Sequence, residues 1–132
     1  MPPRCVVTGE KGAGLDLSEA VIQSLKKPQG VCLQCCEFSA DGEVCGTCMS
    51  SPPAFDRTQV GYYFAGDLVT LVHDLKYAKQ LAYARILAEL LVENIEVGQL
   101  EALVAVPIHN KRWRSRGFNQ AQLIAQSLAK NY

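Results

Sequence analysis

Four cysteines constrain this chain more than any other feature. Cys32-Leu33-Gln34-Cys35 and Cys45-Gly46-Thr47-Cys48 form two CxxC pairs separated by nine residues. Each pair can turn as a tight knuckle that points two thiolates at one ion, and two knuckles complete a tetrahedron with metal–sulfur distances of ~2.3 Å. Gly42 and Gly46 allow the turning this needs. The expectation is one structural zinc held by Cys32, Cys35, Cys45 and Cys48. Four thiolates leave no open coordination position, so no catalytic zinc is expected. A redox CxxC is the rival reading, but it calls for a thioredoxin-like βαβ setting that the flanking residues do not supply. Inert reduced cysteines are the remaining alternative. Cys36 adjoins Cys35 and competes with it as a ligand, with spacing favouring Cys35. Cys5-Val6-Val7-Thr8 is half a knuckle, and Cys5 reads as an inert thiol. No internal repeat is evident, and the two CxxC pairs read as one site.

The chain has six cysteines among 132 residues, and its first residues, Met1-Pro2-Pro3-Arg4, lack the apolar core of a secretion signal. No apolar run approaches the ~20 residues of a membrane span. A reducing, cytoplasmic setting is expected, in which cysteines serve metals rather than disulfides.

Charge is zero overall but unevenly spread. Residues 1–96 hold 8 bases and 12 acids, and residues 97–132 hold 5 bases and 1 acid. The second stretch begins with the apolar run Leu103-Val104-Ala105-Val106, expected to be a buried strand, which Pro107 ends. A basic loop follows with Lys111, Arg112, Arg114 and Arg116, and no acid. Gly117 turns the chain, and Asn119 is placed to cap a helix that starts at Gln120. A strand feeding a cationic loop and a helix N-terminus is suited to holding phosphate. The plainer alternative is a solvated basic surface.

Along the rest of the chain, residues 17–27 pattern as a helix capped by Ser18, with Leu17, Ala20, Val21 and Leu25 on one face. Residues 51–58 are a proline-stiffened linker. Residues 59–64 read as a strand. Asp67 is expected to cap a helix over 68–77, and a second helix spans 80–94 with Leu81, Ala84, Leu87, Ala88 and Leu91 buried. His73 is expected at the surface. The last helix covers 119–130, with Ala121, Ile124, Ala125 and Leu128 inward.

Read in order, the motifs are two CxxC knuckles, Pro52-Pro53-Ala54-Phe55-Asp56-Arg57-Thr58, Leu75-Lys76-Tyr77, Val106-Pro107-Ile108-His109, and Arg114-Ser115-Arg116-Gly117-Phe118-Asn119-Gln120-Ala121. Over about residues 30–132 this order resembles the ComF family of bacterial competence proteins. That family is similar to type I phosphoribosyltransferases with a zinc ribbon added at the N-terminus. The resemblance implies an α/β fold: a four-cysteine zinc-ribbon module, with its preceding helix, over 1–53, then the N-terminal part of a phosphoribosyltransferase-like domain over 54–132. It also implies that Arg112, Arg116, Phe118, Asn119 and Gln120 face the diphosphate of phosphoribosyl pyrophosphate. Phe118 reads equally well as a core anchor, and His109 as a structural residue. Family members often carry another CxxC pair before the first helix; here Thr8 stands where the partner of Cys5 would be. The family's acidic pair and following Thr/Gly-rich loop do not occur before Tyr132, so the chain is expected to be a fragment or remnant without turnover of its own. No residue is a convincing general base.

Three functions compete. One is a phosphoribosyltransferase-like protein whose phosphate-binding residues are Lys111, Arg112, Arg114, Arg116, Asn119 and Gln120. Another is a DNA-uptake adaptor, working beside a helicase-like partner, in which the cations track single-stranded DNA while Trp113, between Arg112 and Arg114, stacks on a base. The third is a zinc-stabilised scaffold that self-associates through an open sheet edge.

Overall fold

The computed structural model describes residues 2–131; Met1 and Tyr132, the outer limits of the two expected domains, lie outside the described residues. Six helices carry the described fold: α1 (Glu19–Ser24), α2 (Gly46–Ser50), α3 (Asp67–Tyr77), α4 (Tyr83–Val92), α5 (Asn110–Arg116) and α6 (Gln120–Ala129). The core lies where α4 packs against α3 and α6. Leu71 and Leu75, one turn apart on α3, are fully buried, and Ala84, Ile86, Leu87, Ala88 and Leu90 on α4 are buried with them. Burial of α4 is wider than one amphipathic stripe because it is covered on more than one side. Leu81, expected in that stripe, is exposed because the helix starts only at Tyr83. Asp67 is the first helical residue rather than the cap. Gly66 holds the cap position with φ 55°, and an Asp67 carboxylate oxygen accepts instead from Ser24 Oγ at 3.2 Å.

The α/β expectation is not met among the described residues, whose regular structure is helical, with two isolated bridges as their only β-pairing. Residues 59–64 do not form a strand. The chain bends there against α4, and a Cβ on Gly61 would stand 3.1 Å from Leu91 Cδ2. Residues 102–106 are likewise unpaired, leaving Val104 84% and Val106 75% exposed. β-propensity alone does not make a strand when no neighbour satisfies its backbone groups. The basic loop is also corrected: its cations lie on helix α5.

The first half of the chain contains a repeat that composition and motif spacing do not reveal. The bridge Arg4–Lys11 recurs as Val31–Phe38, a step of 27 residues. At the same step, Cys5 N–H donates to Glu10 O at 2.8 Å and Cys32 N–H to Glu37 O at 2.7 Å. Gly9 N–H donates to Cys5 O at 2.8 Å, and Cys36 N–H to Cys32 O at 3.0 Å. Gly9 and Cys36, at equivalent positions, both take positive φ, 74° and 65°. The helices α1 and α2 begin in register, after Ser18 (φ −75°, ψ 155°) and Cys45 (φ −69°, ψ 159°). Residues 3–25 and 30–52 are therefore two copies of one small lobe. Cys5, Thr8, Ser18 and Val21 of the first align with Cys32, Cys35, Cys45 and Cys48 of the second.

The copies are stabilised differently. In the first, Cys5, Leu17, Val21 and Leu25 join the core formed with α3 and α4, and Val6 and Ile22 pack against it. In the second, Leu33, Val44 and Met49 are exposed, and burial is confined to Cys32, Ser39 and Cys48.

Candidate functional site: a four-cysteine centre and a basic recess

The second lobe brings its four cysteines together. The sulfur atoms of Cys32, Cys35, Cys45 and Cys48 all lie within 4.8 Å of one another, with Cys35 and Cys45 at 3.8 Å. A tetrahedron with ~2.3 Å metal–sulfur bonds has edges of ~3.8 Å, so the group can hold a metal ion with little movement. Cys36 is outside this group. Its left-handed backbone supplies the turn of the knuckle, the task Gly9 performs in the first lobe.

The thiols are not equivalent without metal. Backbone N–H groups of Cys35 and Cys45 bring Cys32 down to about 6, which makes it the first thiolate offered to a cation. Burial, then the neighbouring Cys35, pushes Cys48 up to about 12. A metal must therefore displace protons, and its affinity falls as pH falls. In the first lobe, burial raises Cys5, but hydrogen bonds from Thr8 and Ser18 outweigh it and bring the thiol to about 7. Thr8, Ser18 and Val21 supply no thiolates beside it.

The basic end is built on two short helices. His109 Nδ1 caps α5 by accepting from Lys111 N at 3.2 Å. Gly117 ends α5 at φ 82°, its N–H donating to Trp113 O at 2.7 Å. Asn119 then caps α6, accepting from Ala121 N at 3.0 Å while its Nδ2 donates to Val106 O at 2.9 Å. Phe118 packs against the core, as an anchor would.

Two recesses flank this corner. One of about 460 Å³ is lined by Lys111, Arg112, Asn119 and Gln120, together with His109 and Pro107. The other, of about 620 Å³, is more apolar and includes Leu103, Val104, Trp113, Gln122 and Ala125. Lys111, Arg112 and the start of α6 thus face one space, and Trp113 faces the other. Arg116 donates to Gln120 Oε1 at 2.6 Å and sits 5.4 Å from the Tyr77 ring centroid, so its guanidinium ties α5 to α6 and α3. Arg114 is exposed and lines neither recess. Asn119 is buried, with its side-chain oxygen and one amide hydrogen engaged, so it positions the corner.

Asn119→Ala is expected to lower stability by about 1 kcal/mol through the lost cap, and somewhat more through the freed Val106 carbonyl. Asn119→Ser keeps a capping oxygen and loses the bond to Val106, so urea melts should rank it between Ala and the parent chain.

A lobe whose four cysteines could hold a metal ion is thus joined to a helical unit with a cationic corner. Sequence relatives specify it further. A DNA utilization protein YhgH of Salmonella typhimurium is 30% identical over 115 residues, covering 81% of this chain and 51% of that protein. The YhgH of Escherichia coli K12 is 30% identical over 93 residues, covering 65% of this chain and 41% of the relative. Competence protein F of Haemophilus influenzae is 33% identical over 94 residues, covering 65% and 41%. The chain belongs to the ComF family. It spans about half the length, or less, of these curated relatives. No protein-family model matches it, and no solved structure matches it. No helix among the described residues is long and apolar enough to cross a membrane.

Proposed function

We propose that this chain works in DNA uptake or utilization, binding a phosphate-bearing ligand in the recess between α5 and α6 while a zinc-loaded lobe stabilises the N-terminal half. The reading is carried by Lys111 and Arg112 facing the N-terminus of α6 across one recess. There, two cations and the positive end of a helix converge on a space suited to an anion. The names of the relatives supply the setting: DNA utilization for YhgH and competence for the Haemophilus protein. Zinc is the metal that best matches four soft thiolates in a closed tetrahedron, and its role there is structural. Phosphoribosyl pyrophosphate and a nucleic-acid backbone share the same recognition chemistry. In the first case the cations would neutralise the leaving pyrophosphate. In the second they would track phosphates.

The half-exposed Trp113 beside Arg112 and Arg114 favours single-stranded DNA as the ligand. It is the chain's one tryptophan, so its fluorescence reports binding. Titration with oligothymidylate at several salt concentrations should give a slope of ~−0.7 per phosphate contact on a log–log plot. Lys111→Ala/Arg112→Ala should shallow that slope and weaken binding about tenfold or more. A flat salt profile with oligothymidylate, together with affinity for phosphoribosyl pyrophosphate that depends on Arg112, would favour the small-molecule ligand. Binding of both that ignores the double substitution would sink the recess as the site.

A further inference from the structure

The two lobes share a fold but not its surroundings, and the comparison shows what the exposed copy lacks. In the first lobe, Val6, Leu17 and Ile22 face the helical core of α3 and α4, with Leu17 fully buried. Asp16 beside them pairs with Arg85 on α4 at 2.6 Å. The equivalent positions 27 residues on are Leu33, Glu43, Val44 and Met49. Chemical class is kept at all four: three apolar side chains and one acid. Yet Leu33 is 60% exposed, Val44 36% and Met49 73%, and Glu43 is exposed without a salt bridge among the described residues. Folding of the second lobe does not explain three apolar residues in solvent around an acid, since its interior consists of the thiols and Ser39.

We propose that this face of the four-cysteine lobe is a docking surface for a separate protein, whose contact is a helical surface that is apolar in the middle and carries an arginine or lysine on its rim. That is the chemistry its copy meets in α3 and α4. Charge argues the same way. Residues 30–52 hold Glu37, Asp41 and Glu43 and no base, and four thiolates on a divalent cation add net negative charge. Asp41 is engaged within the lobe by Ser39 Oγ at 2.9 Å and Glu43 N at 3.0 Å, which leaves the exposed Glu37 and Glu43 as the available acids, Glu43 being the one that aligns with Asp16. An acidic apolar face repels nucleic acid and anionic membrane and attracts a basic-rimmed helix. The α3 and α4 faces of a second copy of this chain are already covered by that copy's own first lobe, and its exposed basic helix α5 carries only Trp113 as a large apolar side chain, so neither offers the complementary face.

The proposal rests on the metal reading only in needing the lobe folded, so metal content is measured first. The full zinc-loaded chain, labelled with ¹⁵N, is titrated with a side-chain-crosslinked helical peptide carrying the sequence of residues 79–94, the surface the first lobe already uses. Saturable amide shifts are expected at Leu33, Glu43, Val44 and Met49. Leu33→Asp/Met49→Asp, which alters only exposed positions and should keep the metal, is expected to abolish them. A probe with Arg85→Glu should bind about tenfold or more weakly, because it places like charges together. Absence of shifts at this face in metal-loaded chain overturns the proposal, as do shifts that survive the double substitution. A dimer of the chain alone that dissolves on Leu33→Asp/Met49→Asp also overturns it, since the occupant would then be a second copy.

Discussion

Chelating the metal from the loaded chain is expected to unfold residues 30–52 and leave the rest folded. The second lobe has almost no apolar interior: Cys32, Ser39 and Cys48 are its buried residues. One backbone bond, Thr58 N–H to Gln34 O at 2.7 Å, ties it to the segment leading to α3. Ligation in modules of this kind supplies on the order of 10 kcal/mol, and without it such a lobe cannot offset its chain entropy. The first lobe has the same backbone plan and needs no metal, because Cys5, Leu17, Val21 and Leu25 are buried with Leu71, Leu75 and Ile86. Hydrogen exchange separates the two. On chelation, the amides of Cys32, Cys36 and Ser39 should lose protection, while those of Cys5, Gly9 and Gly12 should keep it. Cys45→Ser should have the same effect as chelation. Loss of protection in both lobes together would show that the second lobe supports the first, contrary to this division. Acid should act like a chelator. Cys48 stands at about 12 without metal, so each metal bound displaces its proton, and falling pH favours the proton over the metal.

The clustering of the four cysteines was legible from the sequence because CxxC spacing states its own geometry. Two thiolates three residues apart can meet at one ion whatever surrounds them. Two helix starts were legible for the same local reason: Ser18 and Asn119 sit where their chemistry puts them. What failed was non-local. Residues 59–64 and 102–106 have strand-like composition, but a strand is defined by its neighbour. Here the one bends around Gly61 against Leu91, and the other leaves Val104 and Val106 in solvent. Pro107 and Gly117 bracket the basic segment as they would a loop, although Lys111 to Arg116 contains good helix formers and His109 caps it. The lobe repeat was hidden because three of the four ligand positions changed type. Cys5, Glu10 and Ala13 still match Cys32, Glu37 and Ala40, which is too few identities to see without the hydrogen-bond pattern. That pattern also accounts for Thr8: it stands in the place of Cys35, in a lobe that is held by packing.

Leu17→Ala is expected to cost about 2–5 kcal/mol, while Val44→Ala, at the same position in the other copy, should cost less than about 1 kcal/mol. Leu17 is fully buried between α1 and the helical core, so truncation leaves a cavity lined by residues that cannot close over it. A cavity there loses both the transfer free energy of the removed atoms and the contacts around them. Val44 is 36% exposed, and water replaces its methyl groups when they are removed. Urea melts of the metal-loaded chain, followed by far-ultraviolet circular dichroism, measure both. For a domain of this size the larger value is a substantial share of the whole stability, so Leu17→Ala should shift the midpoint far enough to leave the chain partly unfolded on mild warming. Similar costs at the two positions would mean that Val44 is covered in solution and that the second lobe already has an occupant. The pair of substitutions thus measures, from stability alone, how far the two copies differ: one is part of the core, and the other has four clustered cysteines and an outward apolar face.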